Sequence, residues 1–455
     1  MIRVVHLLSL ALAIGFGVNA NAATFRIATF QSDATPPIGA PLCGSAENKA
    51  KSVTDPLSAR GIVFLPDGEQ PIVLCAVDWV GIGNGGYEAW RSALAAAAKT
   101  EPSRVSVHVL HQHDAPMCDF SAEALLDAQG IGGATMDVPY AHRAIAVAAE
   151  ALTASLDDTQ PVTHVATGEG IVEKVASNRR VMGTDGKVKA VRWTATKDPA
   201  VRAEPVGTID PFCKSVSFWN EEKPLAVLTW YATHPQSHYG EGEVSTDFVG
   251  MARAAREAAL PGVPHIHFNG AGGNLGAGKW NDGARDNRPV LAGRLEAGMR
   301  KAWEHATRVP AEGALDWAVA PVVLPTRSEI TAEGEAAKLA ATEKSPGERA
   351  GAAWKLAWLN RANANSPVEL TRLRLGDVQL LMLPGELFVE YQLAAQDMAP
   401  SDFVCVAAYA DYGPGYIGTA CAYSEGGYET EVDSAHCGPE VEAVLMDGIR
   451  KLVGH

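Results

Sequence analysis

Apolar strands that stop abruptly at residues able to do chemistry set the strongest limit on what this chain can become. Val105, Val107 and Val109 alternate with Ser106 and His108, the period of a half-buried strand, and the run breaks at His111-Gln112-His113-Asp114. Two imidazoles spaced i and i+2 at a strand exit can point the same way. Imidazole is both the commonest metal ligand and the side chain that titrates nearest neutrality, so the pair suits a zinc site, a general base, or one of each. The pattern recurs. Pro224 to Ala232 reads as a strand ending in Thr233-His234-Pro235, where the proline keeps the preceding residue extended. Pro71 to Val77, paired with Gly61 to Leu65 as a hairpin, ends at the carboxylate of Asp78. Glu369 to Leu375 and Val378 to Leu383 lead to Pro384-Gly385-Glu386, placing an acid at the head of a helix Leu387 to Gln396. There it can serve as a metal ligand or simply favour the helix dipole by about 0.3 to 1 kcal/mol.

Between these strands lie helical stretches, notably Tyr87 to Lys99, Tyr140 to Ser155, a run through Ala258 that Ser245-Thr246-Asp247 would cap, and Asn287 to Val309. Alternation of this kind predicts an α/β fold: a single large domain with mixed β-sheets and helices, its active site at the strand-exit loops. Residues 332–364 are a polar, alanine-rich helical region broken at Pro346-Gly347, expected to be an insertion packed on the outside. A second histidine pair, His265 and His267, belongs to the strand Val263 to Phe268 and reads as ordinary strand content. The loop after it, Asn269 to Lys279, is glycine-rich enough for backbone amides to approach a ligand. It matches neither a Walker nor a Rossmann string. Asn178-Arg179-Arg180 follows a strand-like segment and fits either a solvated turn or an anion or carbonyl contact.

The N-terminus carries an address. Arg3 precedes an apolar run from Val4 to Val18, and Ala20-Asn21-Ala22 is a small-x-small cleavage site. Residues 1–22 are therefore expected to be a signal peptide and 23–455 an exported, periplasmic or extracellular chain without a transmembrane span. Net charge of -15 with no basic patch argues against nucleic acid as a partner. Seven cysteines contain no C-x-x-C pair, although Cys421 and Cys437 flank a loop-like stretch and could bridge. Neither the oligomeric state nor the pairing of the other cysteines follows from the sequence.

His111, His234 and Glu386 together make two nitrogens and a carboxylate, a set used where zinc keeps a position open for water or substrate. In addition, Leu110-His111-Gln112-His113-Asp114-Ala115-Pro116 is similar to the T-H-T-H-S-x-P segment of the neutral ceramidase family, and Asn178-Arg179 resembles its N-R pair. Thr233-His234-Pro235 resembles its histidine-proline block, and Leu383-Pro384-Gly385-Glu386 its L-P-G-E. Tyr416-Ile417-Gly418-Thr419 with Tyr423 and Tyr428-Glu429 resembles its tyrosine block in register. Five pieces in one order identify a resemblance to the catalytic domain along nearly the whole mature chain.

The resemblance implies a zinc held by His111, His234, Glu386 and Tyr416. It implies that His113 and Tyr428 donate to the oxyanion of a tetrahedral intermediate and that Arg179 lies near the substrate. The reaction would be hydrolysis of an N-acyl amide, in ceramide or a related small-molecule or lipid substrate. Two departures stand out. The family's proposed serine nucleophile follows an [ND]-[LV] pair, where this chain reads Asn274-Leu275-Gly276. Attack by metal-activated water, a relocated nucleophile, or loss of activity remain. Full-length family members also carry a β-sandwich domain beyond the catalytic one. The alternatives are a zinc hydrolase of another ester, amide or carbohydrate-linked substrate, a catalytically silent zinc-retaining binding homologue, or purely structural histidines.

Overall fold

Three larger sheets repeat one scheme: antiparallel strands followed by a helical crossover to a parallel strand. The computed structural model describes residues 25–454, so the expected signal peptide, residues 1–22, lies outside the described residues. The first sheet contains β1 (Phe25–Asp33), β2 (Ser58–Pro66), β3 (Ile72–Val77), β4 (Val105–Val109) and β5 (Gln160–Pro161) in the order β4-β3-β2-β1-β5. The second holds β6 (His164–Ile171), β7 (Phe212–Asn220), β8 (Lys223–Tyr231), β9 (His265–Asn269) and β10 (Thr307–Pro310), ordered β9-β8-β7-β6-β10. The third orders β11 (Asp316–Val322), β12 (Val368–Leu375), β13 (Val378–Met382) and β14 (Phe403–Ala407) consecutively. Parallel pairing is confined to β3 with β4, β8 with β9 and β13 with β14 among these sheets. Each pair is bridged by one helix: α1 (Asn84–Ala98), α4 (Asp247–Ala259) and α8 (Val389–Met398), respectively. The other long helices are α2 (Phe120–Asp127), α3 (Val138–Ser155), α5 (Asn287–Glu304), α6 (Ala332–Ala340), α7 (Pro346–Asn363) and α9 (Val441–Val453).

Strand periodicity decides which face meets which layer. In β3, Ile72, Leu74 and Ala76 join Phe64, Phe218, Trp230, Phe268, Leu373 and Met382 in a core shared by all three sheets. Val73, Cys75 and Val77 face the opposite way, toward Leu94, Leu152 and Trp90 of the helical layer. Because both faces of β3 are covered, the strand is apolar throughout, as a parallel-paired interior strand must be. Outside the sheets, α1 and α3 pack on the first, α4 and α5 on the second, and α8 and α9 on the third.

A buried ion pair ties two of the sheets together. Asp78, at the exit of β3, takes two charge-assisted hydrogen bonds from Arg253 of α4, Nη1 to Oδ1 at 2.7 Å and Nη2 to Oδ2 at 2.8 Å. Ser58 adds its N–H and hydroxyl to Oδ2. Asp78 is thus a structural acid.

Several boundaries differ from the sequence reading. Asn287–Glu304 ends before the expected Val309 because Thr307–Pro310 pairs with β6. The cysteines are all free, with Cys421 exposed and Cys437 buried, so the bridge between them is absent. The helical region does break near Pro346, where Ser345 and Glu348 form a reciprocal capping box. It is not peripheral, however: Trp358 and Lys355 of α7 are buried, and Trp354 lines the cavity described below. Ser245 and Asp247 do stand at the start of α4, the Ser245 hydroxyl accepting the Asp247 N–H at 3.0 Å.

Candidate active site

The C-terminal ends of the three crossover strands β4, β9 and β14 are stitched directly to one another. Val109 N–H donates to Tyr409 O at 3.2 Å, and Ala408 N–H donates to Asn269 O at 3.1 Å. His108 spans the junction, its Nδ1 on Ala408 O and its Nε2 accepting Asn269 N–H at 2.8 Å. Open α/β sheets place ligands beyond the carboxyl ends of parallel strands, and here three such edges converge.

His111 lies just past β4, in a left-handed conformation (φ 66°). A non-glycine residue there is strained by roughly 1 to 2 kcal/mol, and the surroundings hold it in place. Its N–H donates to Trp79 O at 2.9 Å, its Nδ1 meets Val80 O at 2.6 Å, and Tyr409 stacks on the ring at 4.6 Å between centroids. His234, past β8, turns Nδ1 to Gly272 O at 2.7 Å and Leu275 O at 3.1 Å. In both residues the ring nitrogen facing a carbonyl must carry the proton, so Nε2 is left as the electron-pair donor.

The glycine-rich loop explains itself in this setting. A side chain at Gly272 would come within 2.7 Å of the Thr233 backbone, and one at Gly273 within 2.2 Å of Glu386 O. The glycines let the loop lie against the two strand exits that carry His234 and Glu386. They support the site rather than cradle a ligand.

Glu386 does not open a helix as the sequence implied, since α8 begins at Val389. It sits in a short parallel bridge in which Glu386 pairs with Tyr416 and Leu387 with Ile417. Backbone pairing thus delivers the carboxylate and the phenol side by side. Glu386 Oε2 lies 3.2 Å from His111 Nε2 and 3.0 Å from His234 Nε2, while the Tyr416 hydroxyl lies 3.2 Å from His234 Nε2. Neither carboxylate contact is aligned as a hydrogen bond: His111 Nε2 and Glu386 Oε2 are buried without hydrogen-bond partners. Four atoms bound tetrahedrally about 2.0 to 2.2 Å from one ion stand roughly 3.3 Å apart, so this spacing and these orphaned atoms fit a zinc donor set.

His113 also belongs to the cluster; His111, His113 and His234 can each offer an atom within 4.8 Å of the others. Both of its ring nitrogens lack partners. The fixed carbonyl contact that orients His111 and His234 is missing, which favours a substrate-facing role over ligation. Burial, reinforced by His111 and His234, pushes its pKa well below the usual value, so the ring is neutral.

Arg179 and Arg180 are not a solvated turn. Arg179 is 3% exposed, donates to the Tyr416 hydroxyl at 3.1 Å, and pairs through Nε with Glu429 at 3.5 Å. Arg180 reaches Glu425 at 3.0 Å and the same Glu429 at 3.4 Å. Tyr428 closes the arrangement at the surface, its ring 5.7 Å from that of Tyr416. The residues His111, His113, Arg179, His234, Glu386, Tyr416 and Tyr428 therefore meet in one place. A cavity of about 220 Å³ opens on His111, His113, Glu386, Tyr416 and Tyr428.

Some neighbours escaped the sequence reading. Tyr412 donates to Glu386 Oε1 at 2.7 Å, Tyr239 packs on His113 at 4.7 Å, and Trp193 packs on Tyr428 at 5.1 Å. Tyr409 and Tyr412 follow β14 just as His111 follows β4, a signal available in the strand-exit pattern. Trp193 and Tyr239 lie in loops with no periodicity to mark them. Gly276, where the resemblance expects serine, faces Arg179: a side chain there would lie 3.5 Å from its methylenes and 3.3 Å from Thr194 Oγ1.

No protein-family model matches the sequence, and no curated protein matches it either. Solved structures do. The neutral ceramidase from Pseudomonas aeruginosa superposes with a TM-score of 0.68 at 18% identity, covering 95% of this chain and 74% of that one. A ceramidase complexed with C2 superposes with a TM-score of 0.66 at 17% identity, over 94% and 75% respectively. The fold is that of neutral ceramidase.

Proposed function

We propose that this chain, built on the neutral ceramidase fold, belongs to that family and is a zinc-dependent amidohydrolase, exported and acting on the N-acyl bond of ceramide or a related amide. The observation that carries the reading is the meeting of His111, His234, Glu386 and Tyr416, with Glu386 Oε2 3.2 and 3.0 Å from His111 and His234 Nε2, the Tyr416 hydroxyl 3.2 Å from His234 Nε2, and both histidines locked through Nδ1 to backbone carbonyls. These four residues would hold the metal. Zinc held there would supply Lewis-acid polarisation of a carbonyl and would activate water for attack.

The rest of the work belongs to the side chains. His113, neutral and unpartnered, and Tyr428, at the cavity mouth, donate to the carbonyl oxygen as it gains negative charge. Arg179 holds the Tyr416 hydroxyl, Tyr412 holds Glu386, and Glu429 fixes Arg179 from behind. Gly276 offers no hydroxyl, so water itself takes the nucleophile's part: its oxygen joins the acyl carbon, the C–N bond breaks, and the departing amine receives a proton.

Metal content of the purified mature chain, paired with hydrolysis of a fluorogenic N-acyl sphingosine before and after chelation, tests the reading. The expected result is about one zinc per chain with turnover lost on chelation and restored by zinc. Absence of bound metal would sink it. Zinc without turnover on any amide would favour the second reading, a silent zinc-retaining homologue, which Gly276 supports. For Tyr428→Phe, metal content should stay at the wild-type level while kcat falls by about 10²- to 10³-fold, the usual loss for one oxyanion donor. Parallel loss of metal in that variant would contradict its assignment as a donor.

A further inference from the structure

Three aromatic side chains stand open to solvent, Trp193, Tyr239 and Tyr428, at 49, 50 and 37% exposure, and no other Phe, Trp or Tyr among the described residues is as exposed. All three border the candidate active site. Tyr428 lines the cavity and Trp193 packs against its ring, while Tyr239 packs against His113, which lines the cavity too. Apolar residues scattered singly over a surface need no explanation, but a group confined to the mouth of one cavity does.

The backbone that displays these rings is pinned. Trp193 sits between two buried residues, Arg192 and Thr194. Arg192 N–H donates to Arg179 O at 2.6 Å, and its guanidinium donates to the carbonyls of Asn178, Val201, Glu204 and Pro205. Thr194 O accepts from Asn281 Nδ2 at 2.9 Å, and a side chain at Gly278 would come within 1.9 Å of Trp193 O. Tyr239 is held on both sides as well: His238 O accepts from Arg288 Nη2 at 2.7 Å, and Gly240 N–H donates to Asp114 Oδ1 at 3.0 Å. A ring presented from fixed backbone binds a partner without the entropy loss of ordering a loop. The Arg179 guanidinium lies 5.7 Å from the ring centres of both Trp193 and Tyr428, and its charge opposes a second cation on those rings. Their partner is therefore neutral.

The cavity itself bears on what stays outside it. At about 220 Å³ it is smaller than the roughly 300 to 1,000 Å³ of typical ligand pockets, so only a short part of a substrate enters. Among its lining residues only Val80 and Met117 carry larger aliphatic side chains, which gives a long hydrocarbon chain no apolar trough. We propose, resting on the amide-hydrolase reading, that Trp193 and Tyr239 are specificity-determining residues. They pack on a neutral ring with a flat apolar face, an arene or a pyranose, carried by the part of the amide that remains at the mouth.

The test is calorimetric titration of the full chain with benzyl alcohol and methyl β-glucoside, each against an open-chain counterpart, heptan-1-ol and sorbitol. Wild type should bind at least one ring about fivefold more tightly than its counterpart, the range of one favourable aromatic contact. Trp193→Ala and Tyr239→Ala should each bring that ratio near one, and Trp193→Phe, which keeps a ring, should restore most of it. Equal binding of ring and open chain by wild type would overturn the proposal, as would a preference that survives either alanine substitution. Which of the two rings is preferred tells arene from sugar. Hydrolysis of N-benzylacetamide against N-heptylacetamide, run in parallel, separates this proposal from the reading beneath it. Ring-selective binding with no amide cleaved keeps the aromatic rim and removes the hydrolase; cleavage with no ring preference in binding or in KM does the reverse.

Discussion

On the proposed zinc-hydrolase reading, replacing His234 with alanine is expected to empty the proposed metal site and lower kcat/KM for amide hydrolysis by at least about 10³-fold. The imidazole is fully buried, touches Glu386 and Tyr416 at 3.0 and 3.2 Å, and is the only one of the three clustered histidines that also meets Arg179, at 3.4 Å from Nε2. Its removal leaves one nitrogen, one carboxylate and one phenol, a set short of the three strong ligands that catalytic zinc sites keep. Plasma emission spectrometry of the variant measures the metal, and the fluorogenic assay measures the rate. Full zinc occupancy with unchanged rate would remove His234 from the site. Wild-type protein treated with chelator should behave like the variant and, unlike it, recover when zinc is returned.

Asp78→Asn should cost about 3 to 5 kcal/mol of stability, read by chemical denaturation, because it leaves the buried Arg253 guanidinium without its counter-charge. Replacing both partners by apolar residues of similar size should cost much less, which a double-mutant cycle would reveal. The pH dependence has a definite sign. Burial pushes the Asp78 carboxyl up, but Arg253, helped by Ser58, carries it below its ordinary value. Between the folded and unfolded values the unfolded chain binds more protons, so stability rises with pH there. The contribution is whole above about pH 4 and is lost as acid takes the pH down through the folded value, whereas Asp78→Asn should lack this component. A variant with the same acid limb as wild type would show that the pair has no such role.

The distribution of chemistry along the chain was legible because strands announce themselves by period and their exits by a break in it. His111, His234 and Glu386 are marked that way. Periodicity said nothing of which exits face each other: Asp78 stands at an exit and proves structural, while Tyr412 stands past another and reaches Glu386. The placement of Glu386 in a bridge with Tyr416 depended on a backbone pairing between segments thirty residues apart, which no local pattern encodes. For Arg179 and Arg180 the deciding partner was Glu429, near the far end of the chain. The threefold recurrence of hairpin, helix and parallel strand likewise left no trace as a sequence repeat, since the shared constraint is on burial and not on residue identity.

The stitching of β4, β9 and β14 at their carboxyl ends also bears on the time course of folding. The donor atoms come from segments as distant as His111 and Tyr416, and they face one another only after all three crossovers have docked. Such long-range closure comes late. A metal that recognises the finished arrangement would therefore leave the refolding rate nearly unchanged and slow the escape from the native state, making the bound ion a brake on unfolding.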